Sequence, residues 1–191
     1  MIRMEDNDVD VVARVLAGDS DAFRVVVERH SRSIFRLAYR MTGNEQDAED
    51  VVQETFLRAY RRLNRFESRS SFSTWLYRIA VNCSHDSSRK RRVQDNRHVV
   101  PNPELPDPVL SLPSTDPSAD RLVMSAEVRK RVAATMETLT EKEKAAFVLR
   151  HFEGMPIEEV GRTMGMKANA AKNNIFRAVQ KLRRALEPVV S

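Results

Sequence analysis

Cysteine is nearly absent: Cys83 is the only one among 191 residues. That excludes an internal disulfide and fits a reducing compartment. Glycine is scarce, at 5, and aromatic residues make up only 6%, a mix that favours helices over sheets. No run of roughly 18 apolar residues occurs, so no membrane span is expected. The N-terminal stretch MIRMEDNDVD is acidic and polar, without the apolar core of a signal peptide. Together these absences predict a cytoplasmic protein. Catalytic and metal-binding patterns are missing as well. His30, His98 and His151 are scattered, and Cys83 and His85 lie two apart on a helix, so they do not share a face. No glycine loop suited to cradling phosphate is found. No catalytic residue, metal or cofactor is therefore expected, and the chain does not read as an enzyme.

Hydrophobic residues make up 41% of the chain and charged residues 31%, the balance of a folded globular protein. The net charge of +5 fits either a polyanionic partner or plain solubility. Six of the 8 prolines fall between Pro101 and Pro117. The surrounding segment, Val99 to Asp120, has four acidic residues and no basic ones. Proline removes backbone donors and blocks helices, so this segment reads as an extended, solvated linker. It is either a passive tether or an acidic strap that lies in a basic groove.

The pattern on both sides of the linker is helical. In DVDVVARVLAGD, Val9, Val12, Val15 and Leu16 share a face, and Gly18 can end the helix. Ser20 is the expected cap of a second helix running to about Met41. Phe23, Val26, Val27, Ile34, Leu37, Ala38 and Met41 form its apolar side, and Gly43 closes it. A third helix starts at the cap Asn44 and turns Val51, Val52, Phe56, Ala59 and Leu63 inward. After a serine-rich loop, Phe72 to about Arg91 forms a fourth, with Phe72, Leu76, Ile79 and Cys83 as its stripe. Beyond the linker four shorter helices are expected. The second of them opens on the capping box Thr140-Glu141-Lys142-Glu143 and the third carries Pro156 at its first position.

The last two of these form a helix-turn-helix. Val160, Met164 and Met166 supply its apolar spine, Gly165 suits a turn needing positive φ, and Gly161 is small where helices approach closely. At 100° per residue the long final helix buries Ala171, Ile175, Ala178, Val179, Leu182 and Leu186. Asn169, Lys172, Asn173, Phe176 and Gln180 share the opposite side, flanked by Arg177, Arg183 and Arg184. This is the division a DNA-recognition helix needs: cations for phosphates, amides for base edges, and an apolar group for a thymine methyl.

In the first half, Asp47, Asp50 and Glu54, with Gln53 nearby, make an acidic face able to dock a basic partner. The same charge order also complements the helix dipole. The stretch NRFESRSSFSTWLYRIAVN combines small hydroxyls, aromatic rings and arginines. Single-stranded nucleic acid stacks on such rings beside positive charge, and a flipped base needs a small hydrogen-bonding pocket. Ser68, Ser70 and Ser71 can line one, Trp75 and Tyr77 can stack, Arg58 and Arg78 can hold phosphates, and Asn82 can read a base edge. Alternatively, Trp75 is partly core and the serines only turn the chain.

DAEDVVQETFLRAYRRLNRFESRSSFSTWLYRIAVN resembles the promoter-melting region of the extracytoplasmic-function sigma factors of bacterial RNA polymerase. EGMPIEEVGRTMGMKANAAKNNIFRAVQKL resembles their C-terminal helix-turn-helix. The resemblance implies an all-α chain: a four-helix promoter-melting domain (1–97), an acidic proline-rich linker (98–119) and a helix-turn-helix domain (120–191). It implies that Asp47, Asp50, Gln53 and Glu54 face the clamp of the polymerase's largest subunit. Phe66, Glu67, Ser68, Arg69, Ser70 and Ser71 would hold a flipped base of the −10 element, with Arg58, Trp75, Tyr77, Arg78 and Asn82 along the same strand. Asn169, Lys172, Asn173, Phe176 and Arg177 would read the −35 element. RNA polymerase core (clamp and flap), promoter DNA and an anti-sigma factor are the implied partners. Ala170 and Ala171 depart from the usual Thr-Val pair, and Asn174 and Val179 stand where arginine is common, which implies a weaker phosphate grip or an altered −35 sequence. The alternative is a polymerase-independent helix-turn-helix regulator with a helical sensor domain.

Overall fold

The computed structural model describes the backbone of residues 7–68, 70–95 and 119–190, and side chains within 7–68, 70–93 and 128–187. The described residues form helices and turns, with no strand among them. The chain divides into two compact units, Met1–Gln94 and Asp95–Ser191. The expected linker falls, apart from Ala119, outside the described residues.

The first unit contains α1 (Asp8–Leu16), α2 (Phe23–Thr42), α3 (Glu45–Arg61) and α4 (Phe72–Asp95). Its core is aliphatic: Val26, Ile34 and Leu37 from α2, Val51 from α3 and Leu76 from α4 are all essentially inaccessible. The expected α4 stripe of Phe72, Leu76, Ile79 and Cys83 is buried. Gly43 ends α2 in the left-handed conformation (φ 69°) that glycine adopts at least cost. Asn44 then caps α3 by accepting the Asp47 N–H at 3.0 Å.

Helix α1 is rotated from the expected face. Val11 and Val12 are buried, while Val9 and Leu16 are exposed. Asp8 explains the rotation, because its carboxylate accepts from Arg29 at 2.5 Å and pairs with His30 Nε2 at 3.0 Å. An inward-facing aspartate brings Val11 and Val12, three and four residues on, to the same side. His30 is accordingly a core residue. The expected cap Ser20 is displaced by Asp19, whose Oδ1 accepts the Ala22 N–H as a short 3₁₀ turn leads into α2.

The second unit contains α5 (Ala119–Thr138), α6 (Glu141–His151), α7 (Ile157–Thr163) and α8 (Ala168–Val190). Helix α8 packs against each of the other three. Its buried side carries Ala171, Ala178 and Leu182. Val179, expected inward, is on the exposed side. The capping box at Thr140 and Glu143 is formed in both directions. Pro156 is the N-cap of α7 rather than its first helical residue. No helix among the described residues is long and apolar enough to cross a membrane.

Candidate nucleic-acid and protein interfaces

The serine loop is anchored by aromatic rings. Phe66 meets Phe72 edge-on at 5.1 Å and lies 5.5 Å from Trp75, while Phe72 and Trp75 are 5.4 Å apart. Phe72 is buried and Trp75 half-buried, so the indole belongs partly to the core and partly to the surface. Such contacts hold the two ends of the loop together and leave its middle outside. Glu67 and Ser68 are exposed there, and Ser70 is half-buried. Ser68 has φ 53°, the one positive φ outside glycine among the described residues. Ser71 is committed to the helix: its Oγ accepts the Thr74 N–H at 3.2 Å and is hydrogen-bonded to Thr74 Oγ1 at 2.7 Å. It therefore acts as the α4 cap, while Ser70 Oγ makes a long bond to the Ser71 carbonyl at 3.4 Å. Arg69 lies outside the described residues. Arg78 and Asn82 are exposed one turn apart on α4, and Tyr77 is half-buried.

Arg58 is held between α3 and α4. Its Nε donates to Glu54 at 2.5 Å, and its Nη1 donates to Asp86 of α4 at 2.9 Å. Both carboxylates raise the guanidinium pKa, Glu54 more strongly than Asp86. A groove of about 460 Å³ runs between α3 and α4 here. Asp47, Asp50, Gln53 and Glu54 all line it. The opposite side carries Cys83, Asp86, Lys90 and Arg91. Arg91 donates to Asp47 at 3.1 Å and to the Thr42 carbonyl at 3.2 Å. Leu57, 51% exposed, adds an apolar spot that the sequence reading did not single out. Its signal was its position, three residues beyond Glu54 and four beyond Gln53 on the same face. Burial pushes the Cys83 thiol pKa up, which disfavours a reactive thiolate. Among the described residues no three His, Cys, Asp or Glu side chains are arranged to hold a metal ion.

In the second unit, the turn between α7 and α8 is closed by the Met166 N–H on the Gly161 carbonyl at 2.8 Å, with Gly165 at φ 65°. The face opposite Ala171 and Ala178 is open to solvent. Asn169, Lys172, Asn173, Phe176 and Arg177 are all exposed, Phe176 by 60%. Asn174 points elsewhere: its amide donates to the Ala170 carbonyl at 2.8 Å and approaches Met166 Sδ at 3.7 Å. This residue fastens α8 to the turn instead of extending the exposed row.

Residues 26–93, which hold the loop and the groove, match the family model for sigma-70 region 2. Residues 129–182, which hold the helix-turn-helix, match that for sigma-70 region 4. The chain belongs to the extracytoplasmic-function sigma factors. It is 34% identical to the RNA polymerase sigma-H factor of Pseudomonas aeruginosa over 97% of each chain. It is 32% identical to the ECF RNA polymerase sigma-E factor of Haemophilus influenzae over 96% of this sigma factor and 97% of that one. Among solved structures it resembles CnrH in complex with the cytosolic domain of CnrY, with a TM-score of 0.66 and 28% identity over 93% of this chain and 96% of that one. The sigma factor RpoE of Bartonella quintana, solved with the anti-sigma factor NepR, shares the fold at a TM-score of 0.64 and 22% identity, over 86% of this chain and 96% of that one. As a sigma factor the protein serves promoter-directed transcription initiation, as an alternative to the cell's other sigma factors.

Proposed function

We propose that this sigma factor binds RNA polymerase core through the α3–α4 groove, melts the −10 element at the Phe66–Ser71 loop and reads the −35 element with α8. Residues 1–97 form the melting domain, 98–119 the linker and 120–191 the −35 domain. The clean division of α8 carries this reading: one side is packed, and the other presents Asn169, Lys172, Asn173, Phe176 and Arg177 together. Such a row has little use on a solvated bundle, because an exposed phenylalanine gains nothing from water. On polymerase the two domains meet two promoter elements at once, and their modest affinities combine through effective concentration. A base entering the loop offsets an unstacking cost of a few kcal/mol. Nucleotidyl transfer belongs to the polymerase. The family, and complexes such as that of RpoE with NepR, support an anti-sigma partner for this chain as well.

The test is in vitro transcription with purified core polymerase and a pooled promoter library. Transcripts that start downstream of a shared two-part motif only when the protein is added support the proposal. Tight duplex binding by the protein alone, with no added initiation, would favour an independent regulator instead.

Two substitutions divide the roles. Asn82→Ala is expected to slow open-complex formation on a selected promoter by roughly tenfold, the cost of one lost base contact of ~1–3 kcal/mol. Unchanged melting would remove Asn82 from the site. Replacing Lys172 and Phe176 together by Ala is expected to weaken duplex −35 binding by holoenzyme on the order of a hundredfold, from two lost contacts. Core binding should be retained. Loss of core binding would mean that the fold, not the reading face, had been damaged.

A further inference from the structure

Arg58 is expected along the −10 strand, yet in the structure both ends of its guanidinium are held. Nε is on Glu54 of its own helix at 2.5 Å, and Nη1 reaches 28 residues onward to Asp86 of α4 at 2.9 Å. Asp86 is unusually placed. It follows Arg78 and Asn82 at four-residue intervals on α4, so it continues the side of the helix expected to meet the DNA strand. It also lines the α3–α4 groove with Glu54 and Arg58. A lone carboxylate at the end of that row would repel phosphate. Paired with Arg58, it is neutralised, and Arg58 is withheld from the strand in part.

We propose that Asp86 is a positioning residue that, with Glu54, parks Arg58 in the α3–α4 groove and so sets how much of its charge the −10 strand receives. This rests on the reading of Arg58 as a strand-side residue. Arg91 and Lys90, the other cations of the groove, are not equivalent. Arg91 is spent on Asp47 and the end of α2, and Lys90 lies one turn further along α4. Loosening Asp86 therefore gives the strand a cation, whereas most surface changes would only remove one.

The experiment measures binding of holoenzyme, carrying the full chain, to a labelled non-template single strand bearing the −10 sequence selected from the library. Asp86→Asn is expected to tighten binding on the order of threefold to fivefold, the worth of an exposed ion pair. It should also steepen the dependence of log affinity on log salt by about 0.7, the increment for one further phosphate contact on a single strand. Asp86→Ser should behave alike, and tighter binding cannot arise from misfolding. Arg58→Gln should weaken binding, and adding Asp86→Asn to it should return only the part lost to the unpaired Asp86 carboxylate, never exceeding wild type. The proposal is overturned if both Asp86 variants bind as wild type or more weakly. It is also overturned if the double variants bind more tightly than wild type, with the steeper salt dependence, in the Arg58→Gln background, which would mean that Arg58 supplies none of the gain. If Arg58→Gln alone leaves strand binding unchanged, the strand-side reading of Arg58 is what fails, and it takes the proposal with it.

Discussion

Gly161→Ala is expected to abolish −35 recognition while leaving the rest of the chain folded. A methyl group at position 161 would sit 2.9 Å from the Met166 carbonyl oxygen and 3.3 Å from the Ala168 nitrogen. Both are backbone atoms of the turn, so no side chain can swing aside. The Gly161 carbonyl also receives the Met166 N–H that closes the turn. Overpacking of this kind costs about 1–3 kcal/mol, and the gain in helix propensity from glycine to alanine returns only about 1 kcal/mol. The functional loss is larger than the stability loss. Relief of the clash moves the start of α8, where Asn169, Lys172 and Asn173 are displayed, and each misplaced base contact is worth ~1–3 kcal/mol. A drop of about a hundredfold or more in duplex −35 affinity is expected, with a modest shift in the denaturation midpoint. Gly165→Ala makes the control. It has φ 65° and nothing within 4 Å of an added methyl. It bears only the left-handed backbone penalty of about 1–2 kcal/mol, and the approach of the two helices is unaltered. Equal effects from the two variants, or normal −35 binding by Gly161→Ala, would refute the close-approach account.

Features written in local sequence were legible. Asn44 and the Thr140–Glu143 box cap their helices as their side-chain chemistry dictates, Gly43 closes α2, and Gly165 takes the positive φ expected of it. Misses arose where a distant residue chose between local options. The valines of α1 allow two overlapping stripes, and only Asp8, drawn inward by Arg29 and His30, selects Val11 and Val12. A reading that counts aspartate as solvent-facing takes the wrong stripe. The serine run read as a uniform set of hydroxyls, but Ser71 is engaged by Thr74 because α4 begins there. Arg58 reads as a cation able to hold phosphate, and its pairing with Asp86 is hidden because Asp86 lies 28 residues away in sequence. The chemistry of each site was visible in the sequence. Which groups are already occupied was not, because occupancy depends on packing between helices.

The same dependence makes Glu143 a second sensitive point. It is 4% exposed, accepts the Thr140 N–H at 3.0 Å to complete the α6 cap, and takes Lys181 of α8 at 2.7 Å. Burial pushes its carboxyl pKa up, but Lys181 and the Thr140 backbone outweigh that and hold it below the usual value of 4.5. One side chain thus caps α6 and fixes the recognition helix against it. Glu143→Ala removes the cap, the ion pair and buried volume, and is expected to destabilise the C-terminal domain by ~2–4 kcal/mol. Glu143→Gln should cost less, about 1 kcal/mol, because an amide still closes a capping box. Lys181→Met should exceed Glu143→Gln, since it leaves a buried carboxylate with only Thr140 to donate to it, at ~2 kcal/mol once the partial exposure of the lysine is allowed for. The pH dependence has a definite sign. A depressed carboxylate pKa contributes stability that is present above the unfolded value and lost as pH falls through the folded one. Wild type should therefore outlast Glu143→Gln at pH 7, and the two denaturation midpoints should converge as pH falls below about 4. A gap that stayed constant down to acid pH would show that packing, not the charge on Glu143, holds α6 to α8.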